Sequence, residues 1–293
     1  MKNYTELPVG EYAKTNNVDI LRAEVSSDIV DLLSSNTFNL VIAVSYGKLI
    51  PAEFITRCKY GGINVHPSLL PRYSGSSPLQ YALLNDDLET GVTVQTLHPT
   101  KFDHGSIIAQ SSAVPILDSD NYSSLASKLG DIGGEILAKV IEDGSFVDIK
   151  PLTNSYTRCF APKIDKQERQ ALWSHYSARQ LKRRYDALGP LFTFMDVNVK
   201  RKGKRITEKQ RIILNEISEL KDTNELDLAL NLDELKECGD FSLVKDGLCI
   251  KAKEGYVLAK RVQMQTKAED TPEAFIGTCR KSNGSTRQHF LPK

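Results

Sequence analysis

The segment that most constrains the fold is Leu40–Val44 (LVIAV), an uninterrupted apolar run rich in β-branched residues. Such a run is typical of a strand buried inside a parallel sheet. A helical pattern with proline at its first position follows at Pro51–Cys58, and a second strand pattern follows at Gly62–His66. Further strand and helix patterns alternate up to about residue 142. This alternation predicts an α/β fold with a doubly wound, mostly parallel sheet.

The character of the sequence changes after about residue 153. A basic helical pattern at Gln180–Tyr185 is followed, from Phe192 onward, by short strand patterns separated by turn residues. A series of short strands with turns between them is typical of a small β-barrel or sandwich. We therefore predict a first domain at residues 1–153, a linker with a helix at residues 154–190 and a small β-barrel domain at residues 191–293.

Composition excludes several classes of protein. The 293 residues are 40% hydrophobic and contain no low-complexity tract, which argues against disordered and collagen-like chains. The densest apolar stretch has five residues, whereas a membrane-spanning helix needs about 20, so no membrane partner is expected. The five cysteines are scattered without a C-x-x-C pattern, which argues against a disulfide framework and against a zinc site.

The net charge of +1 hides an asymmetry between the two halves of the chain. Residues 1–150 carry 11 basic and 18 acidic side chains, whereas residues 151–293 carry 27 basic and 19 acidic ones. A basic second half is consistent with a polyanionic partner. Solvated charged faces alone would produce the same split, so both interpretations stay open at this point.

Two polar side chains, Asn64 and His66, end the second predicted strand. Side chains two residues apart point to the same face of a strand, and ligands of doubly wound folds bind outside the carboxyl ends of the strands. An amide donor beside an imidazole is suited to stabilising the oxyanion of an acyl transfer. The structural alternative is that Asn64 caps a turn and His66 is a half-buried, hydrogen-bonded histidine.

A third polar residue, Asp103, lies in the glycine-containing segment Lys101–Ile108. A carboxylate near His66 would orient the imidazole and favour its charged form. Alternatively, Asp103 only shapes a turn through its side chain.

The run Ile63–Ile108 as a whole resembles the 10-formyltetrahydrofolate-dependent formyltransferases. It contains N-x-H at Asn64–His66, S-L-L-P at Ser68–Pro71, E-T-G-V-T at Glu89–Thr93 and the later Asp103. The resemblance implies the formyltransferase fold, 10-formyltetrahydrofolate as co-substrate and no metal. It assigns the catalytic roles to Asn64, His66 and Asp103. It also implies folate-binding residues, namely Tyr46, Gly47, Leu49, Ser68, Leu69, Leu70 and Pro71.

Within this family, two features resemble the members that formylate the α-amine of methionyl-initiator-tRNA. The segment Pro71–Pro78 is similar to their P-R-W-R-G-x-x-P, and the chain continues for about 140 residues past the catalytic domain, where these members carry an OB-like tRNA-binding domain. The resemblance implies tRNA-binding residues among the basic side chains, namely Arg72, Lys182, Arg183, Arg184, Lys200, Arg201, Lys202, Lys204 and Arg205. A solvated loop is the alternative for the cluster at 200–205.

The segment around Pro99–Asp103 resembles mitochondrial members of the family more than bacterial ones. We therefore expect a monomeric enzyme of the mitochondrial matrix that serves organellar translation initiation, although Met1–Glu6 shows no targeting signal. Two alternatives remain: a formyltransferase acting on a small amine, such as glycinamide ribonucleotide or an amino sugar, and an inactive RNA-binding remnant.

The chain departs from the family pattern in two places. Ser74 stands where the family usually has arginine, which removes one positive charge. In addition, the family's opening strand, its G-T-x-x-F segment and a basic loop have no counterpart before Leu40. The resemblance therefore predicts an N-terminally incomplete catalytic domain in which Leu40–Val44 is partly unpaired.

Overall fold

The computed structural model describes residues 6–23, 25–35, 37–221, 235–283 and 289–291. The chain divides into two compact units. The first unit contains residues 1–66, 93–110 and 135–155, and the second contains residues 67–92, 111–134 and 156–293. Only the change of unit after residue 155 lies near a predicted domain boundary, and the division into three parts stays a prediction.

The first half contains both helices and strands, but four short strands follow one another between residues 89 and 115, so the predicted alternation holds only in part, and the elements after residue 190 are mainly strands. In chain order they are α1 (Pro8–Thr15), α2 (Ser26–Ser35), β1 (Val41–Val44), α3 (Ala52–Arg57), β2 (Gly62–His66), α4 (Pro78–Leu84), β3 (Glu89–Thr90), β4 (Thr93–Thr96), β5 (Ile107–Gln110), β6 (Val114–Pro115), α5 (Tyr122–Glu142), a 3₁₀ turn (Lys166–Arg169), α6 (Ala178–Leu188), β7 (Leu191–Arg201), β8 (Lys204–Leu220), β9 (Phe241–Val244), β10 (Gly247–Lys251), β11 (Tyr256–Met264), β12 (Glu269–Asp270) and α7 (Pro272–Asn283).

The sheet of the first unit has the strand order β1-β2-β4-β5. Only β1 and β2 are parallel, whereas β2–β4 and β4–β5 are antiparallel. The prediction of a mostly parallel sheet is therefore wrong for the described strands, and the sheet is mixed. The reason is connectivity: Thr93 pairs with His66, so β4 begins beside the end of β2, and a short connection of ten residues returns the chain from β4 to β5.

One face of this sheet forms a hydrophobic core with the second half of α5. Ile63, Val94 and Ile108 are buried there against Val140 of the helix. The strand predicted at Leu40–Val44 is confirmed as β1, but it lies at the edge of the sheet. Since β2 is its partner on one side only, Ile42 and Val44 are 42% and 56% exposed, and the expectation that the whole run is buried is wrong.

The second unit is built around an antiparallel sheet in the order β7-β8-β11-β10-β9, with β12 paired to β11. Trp173 is fully buried in its core, donates its ring N–H to Thr193 Oγ1 at 2.9 Å and stacks on Phe290. Residues 289–291 form backbone hydrogen bonds with both ends of this sheet. Phe290 N–H donates to the carbonyl of Gly239, which precedes β9, and Leu291 N–H donates to the carbonyl of Phe194 in β7.

No helix in the described ranges is both long enough and apolar enough to span a membrane.

The five cysteines are free thiols, and burial raises the pKa of Cys249 to about 12.

Candidate active site and basic surfaces

Strand β2 places Asn64 and His66 on the sheet face opposite to the α5 core. The alternation of side chains along β2 sends Ile63 and Val65 to the core and the two polar residues to the other face. His66 is buried and Asn64 is half-buried. Among the described residues, none forms a hydrogen bond with the Asn64 side-chain amide, so its N–H donors can be offered to a ligand.

The turn after β4 brings Asp103 to His66. Asp103 adopts φ +52°. Two residues later, Gly105 packs so closely against β4 that a Cβ on it would lie 1.7 Å from the Thr96 carbonyl oxygen. Only glycine permits this approach. The result is a distance of 3.5 Å from His66 Nδ1 to Asp103 Oδ1, with the two side chains 6% and 8% exposed.

The structure brings His66 and Asp103 together and carries Asn64 on the same strand as His66, while the catalytic roles of the three residues stay predictions. A buried carboxylate 3.5 Å from an imidazole nitrogen orients the ring. A protonated imidazole and a primary amide are both donors, and they sit two residues apart on one strand face. Such a pair of donors can stabilise negative charge that develops on a carbonyl oxygen.

Gln95 is a residue of this site that the sequence analysis did not identify. It lies on β4 directly opposite Asn64, is 2% exposed, and donates from Nε2 to Asp103 Oδ1 at 2.9 Å. Its role depends on the register of β4 against β2, which the sequence alone did not supply. The only local signal is a polar residue, Gln95, in an otherwise buried strand.

The loop after β1 holds three of the residues predicted to bind folate. Tyr46 and Leu49 are 40% and 37% exposed. Gly47 adopts φ +71° and has no atom within 4 Å of an added Cβ, so the space beside its backbone is open. An exposed aromatic ring and an aliphatic side chain beside open backbone are suited to contact a flat heterocycle.

The other predicted folate segment, Ser68–Pro71, is organised differently. Ser68, Leu69 and Leu70 are buried, and the Ser68 hydroxyl donates to the Arg72 carbonyl at 2.6 Å. The Leu70–Pro71 peptide bond is cis. Since these three residues are 1–3% exposed, only the half-buried Pro71 of this segment has surface to offer a ligand.

The basic residues predicted on α6 make contacts within the chain. Arg183 is 3% exposed, with its guanidinium bonded to Asp86 and to the carbonyls of Leu117 and Asp120. A side chain so fully buried offers almost no surface to a phosphate, and the assignment of Arg183 to a tRNA surface stays a prediction that its burial does not favour. Arg179, one turn earlier, binds both Asp86 and Asp118.

The neighbours of Arg183 are also occupied. Lys182 Nζ lies 2.5 Å from Asp186 Oδ1; burial raises the pKa of that carboxyl, and Lys182 opposes the rise. Arg184 bonds to Glu168 and lies over the ring of Tyr176. The sequence cluster Lys182–Arg184 therefore anchors α6 rather than presenting three free cations.

Arg72 also has an acidic partner within the chain. Its guanidinium pairs with Asp87 Oδ2 at 2.5 Å, and the Tyr73 hydroxyl donates to the same oxygen at 2.6 Å. Arg72 keeps about a quarter of its side chain exposed, which leaves room for a second anionic partner.

The second predicted cluster forms an exposed hairpin tip, defined as Lys200–Arg205. It connects β7 and β8 through a two-residue turn, Lys202–Gly203, in which both residues have positive φ, as a type I′ turn requires. All six residues of the tip are exposed. Arg201 is paired with Glu208, and Lys200 and Arg205 are direct cross-strand partners.

The side chains of Lys200 and Arg205 belong to the outer face of the hairpin. Strand alternation puts Leu191, Thr193, Met195 and Val197 in the interior and the intervening residues outside. On the outer face, Lys209 lies over the ring of Phe194 and Arg211 lies over the ring of Phe192. Two cation–ring contacts thus lie on this face, together with Asp196 and Asn198, and cations beside aromatic rings are common on nucleic-acid surfaces.

Among the described residues, no group of three or more His, Cys, Asp or Glu side chains is placed to hold a metal ion.

Comparison with known proteins is consistent with this geometry. A family model described as formyl transferase matches residues 4–141. The chain is 31% identical over 282 residues to the mitochondrial methionyl-tRNA formyltransferase of Saccharomyces cerevisiae, covering 88% of the chain and 68% of that protein. It is 29% identical over 279 residues to the methionyl-tRNA formyltransferase of Caldicellulosiruptor saccharolyticus, covering 93% of the chain and 82% of that protein.

Among solved structures, HypX from Aquifex aeolicus in complex with tetrahydrofolic acid aligns with a TM-score of 0.58 at 18% identity. The alignment covers 88% of this chain and 41% of HypX, so the chain spans less than half of that protein. At this identity the likeness shows the fold alone.

The Asp86 contacts predict how α6 is held. Hydrogen bonds from Arg179, and then from Arg183, keep the pKa of the Asp86 carboxyl below its usual range. The stabilisation that the ionised Asp86 carboxylate gives to the folded state is therefore complete above the ordinary carboxyl pKa of about 4. This stabilisation is lost as pH falls through the lowered pKa of the folded state. We expect Asp86→Asn to reduce the free energy of unfolding by about 1–2 kcal/mol at pH 7, because Arg183 keeps its carbonyl partners and the half-exposed Asp86 is screened.

The measurement is urea unfolding at pH 7 and at pH 3. The difference in the free energy of unfolding between Asp86→Asn and the wild type should be smaller at pH 3 than at pH 7. Asp118→Asn is the matched control, since Asp118 is 61% exposed, and it should lose less. Equal losses in the two variants would contradict the anchoring role of Asp86.

Proposed function

The chain belongs to the formyltransferase family, and we propose that it transfers the formyl group of 10-formyltetrahydrofolate to the α-amine of methionyl-initiator-tRNA. Membership of the family makes it a one-carbon transferase. The observation that carries the proposal is the buried His66–Asp103 pair on the strand face that also carries Asn64, in a chain similar over most of its length to tRNA-formylating enzymes.

In the proposed reaction the α-amine nitrogen attacks the formyl carbon. A C–N bond forms, and the carbonyl electrons move onto the oxygen to give a tetrahedral oxyanion. The Asn64 amide and the protonated His66 imidazole donate hydrogen bonds to this oxyanion. When the carbonyl re-forms, the bond from the formyl carbon to N10 breaks and tetrahydrofolate leaves.

Asp103 supports the proton transfers of this reaction. Its carboxylate at 3.5 Å holds His66 in orientation and charge. The attacking amine must lose one proton and the N10 leaving group must gain one, so a buried acid–base pair beside the reacting carbon shortens both transfers. The proposal needs no covalent intermediate on the protein.

The folate is proposed to contact two segments. The exposed Tyr46 and Leu49 and the open backbone at Gly47 provide apolar surface for the pterin ring. In the second segment Pro71 is half-buried and has surface for the folate, whereas the buried Ser68, Leu69 and Leu70 are proposed to hold the shape of the segment. Both segments come from the resemblance to the family, and their openness or burial here decides which atoms take part.

The hairpin tip and the outer face of β7 and β8 are proposed as the main surface for tRNA. Lys200, Lys202, Lys204 and Arg205 are exposed there, and each phosphate contact by such a cation releases counterions. Arg72, Lys182 and Arg184 are secondary candidates because each already has an acidic partner. Similarity to the yeast mitochondrial enzyme supports a mitochondrial location and a role in organellar translation initiation.

Two finer features of the fold are part of the proposal. Residues 289–291 connect the end strands of the second sheet, which supports an OB-like barrel rather than an open sheet. The exposed edge of β1 supports further strands of the family pairing there, and a chain extended at its N-terminus would test this directly.

The decisive experiment measures formyl transfer from 10-formyltetrahydrofolate to three acceptors: methionyl-initiator-tRNA, glycinamide ribonucleotide and a nucleotide-linked amino sugar. Both the 293-residue chain and an N-terminally extended chain are assayed. Formylation of the tRNA alone supports the proposal. Transfer only to a small amine would support the alternative acceptor class, and binding of RNA without any transfer would support an RNA-binding remnant.

The oxyanion role of Asn64 predicts a large kinetic effect. Loss of one oxyanion donor typically lowers kcat by about 10²–10³-fold, and we expect Asn64→Ala to show a fall of this size with little change in thermal unfolding. Asn85→Ala is the control, since Asn85 donates to the Tyr73 hydroxyl and touches none of the three catalytic residues. Wild-type turnover in Asn64→Ala would exclude the role.

The hairpin tip predicts a change in the salt dependence of tRNA binding. Each lost phosphate contact reduces the slope of log affinity against log salt by about 1, so Lys200→Gln combined with Arg205→Gln should reduce it by about 2. Lys139→Gln combined with Lys150→Gln removes two exposed lysines of the first unit and should leave the slope unchanged. Equal effects of the two pairs would indicate unspecific attraction.

A further inference from the structure

Gln95 is the buried polar residue that contacts the acid of the candidate site. Its amide nitrogen lies 2.9 Å from Asp103 Oδ1, and the same carboxylate oxygen lies 3.5 Å from His66 Nδ1. One oxygen of Asp103 is thus held between a neutral amide donor and the imidazole.

The other end of the Gln95 amide is not satisfied. Among the described residues, Gln95 Oε1 has no hydrogen-bond partner, although it is buried. A buried acceptor without a partner costs free energy, and an apolar side chain of similar volume would fill the space without that cost. The amide is therefore not explained by packing, whereas its bond to Asp103 gives it a chemical purpose.

The sheet is irregular at this position. The pairing of β4 with β5 shifts register between Val94 and Gln95, so that Val94 pairs with Ala109 and Gln95 with Ile107. Such bulges change the direction of a side chain and increase local twist, and they are frequent beside active sites. The irregularity lies at the residue that must aim its amide at the turn carrying Asp103.

We propose that Gln95 is a positioning residue that holds the Asp103 carboxylate turned toward His66 during formyl transfer. A hydrogen bond to the charged form of a carboxylate favours that form. Because the glutamine amide is neutral, it does this without competing with the imidazolium for the charge of Asp103, as a lysine or arginine would. The inference rests on the proposed acid–base role of Asp103.

The test compares Gln95→Met, Gln110→Met and Asp103→Asn in the 293-residue chain and in the extended chain. Gln110 lies on β5 of the same sheet and donates to Thr93 Oγ1 at 2.9 Å, so its replacement removes one amide donor without touching Asp103. Two quantities are measured: kcat for tRNA formylation against pH, and the pH dependence of the His66 ring signal by NMR in the ligand-free protein.

For Gln95→Met we expect kcat to fall by about 10–100-fold, the range for a lost hydrogen bond to a charged group. The acid limb of the kcat profile should move to higher pH, because the ionised carboxylate has lost its donor. The His66 titration should move to lower pH, because a less well held carboxylate stabilises the imidazolium less. Gln110→Met should change neither curve.

Each outcome separates the inference from the proposed function. The role of Gln95 would be overturned if the pH profile of kcat and the His66 titration did not shift in Gln95→Met. It would also be overturned if both shifted equally in Gln110→Met. Full activity of Asp103→Asn would instead overturn the proposed acid–base role of Asp103. In that case the NMR titration of Gln95→Met, which needs no turnover, still decides whether Gln95 sets the charge relation between Asp103 and His66.

Discussion

The antiparallel pairing of β2 with β4 is the constraint on which the candidate site depends. It sets Asn64 opposite Gln95 and His66 opposite Thr93, so the polar side chains of two strands share one face while Ile63 and Val94 share the other. A slip of one residue in this register would send Gln95 into the apolar core and an apolar side chain toward the carboxylate. The core under α5 therefore fixes the catalytic face as well as the fold.

A second constraint acts on the charged residues of the second unit. In the sequence, Lys182–Arg184 and Lys200–Arg205 look alike, since both are short runs of basic residues. The structure separates them by burial. Helix α6 uses its cations to neutralise Asp86, Asp186 and Glu168. In the part of the chain that the structure describes, Arg201 of the hairpin tip pairs with Glu208, which lies beyond the tip on β8. Part of the positive charge after residue 150 thus stabilises the fold, and the exposed remainder is the part that we propose to bind tRNA.

The parts of the structure that could be predicted from the sequence are those encoded by local periodicity. The strands β1 and β2, the helix with proline before its first turn, and the common face of Asn64 and His66 all follow from spacing along the chain. The contact between His66 and Asp103 was expected from the resemblance to the family, and the structure brings the two residues together.

The direction of β4, the exposure of Ile42 and Val44 and the bond from Gln95 to Asp103 depend on which strands become neighbours. Neighbours are decided by connections and by the core rather than by local pattern, so single-sequence analysis misses them. Burial of Arg183 belongs to the same class, because Asp86 is 97 residues away in sequence.

The backbone of Asp103 is held in a strained conformation by contacts with β4. A non-glycine residue with φ +52° persists only where its surroundings hold it. Three contacts do so here: Gly105 packed against the Thr96 carbonyl, the Ser106 N–H bonded to Thr96 Oγ1, and the Gln95 amide on the carboxylate. All three originate on β4 or close against it, so the strand that carries no catalytic residue is the one that fixes the acid. A change in β4 would thus alter the chemistry at His66 without touching either His66 or Asp103.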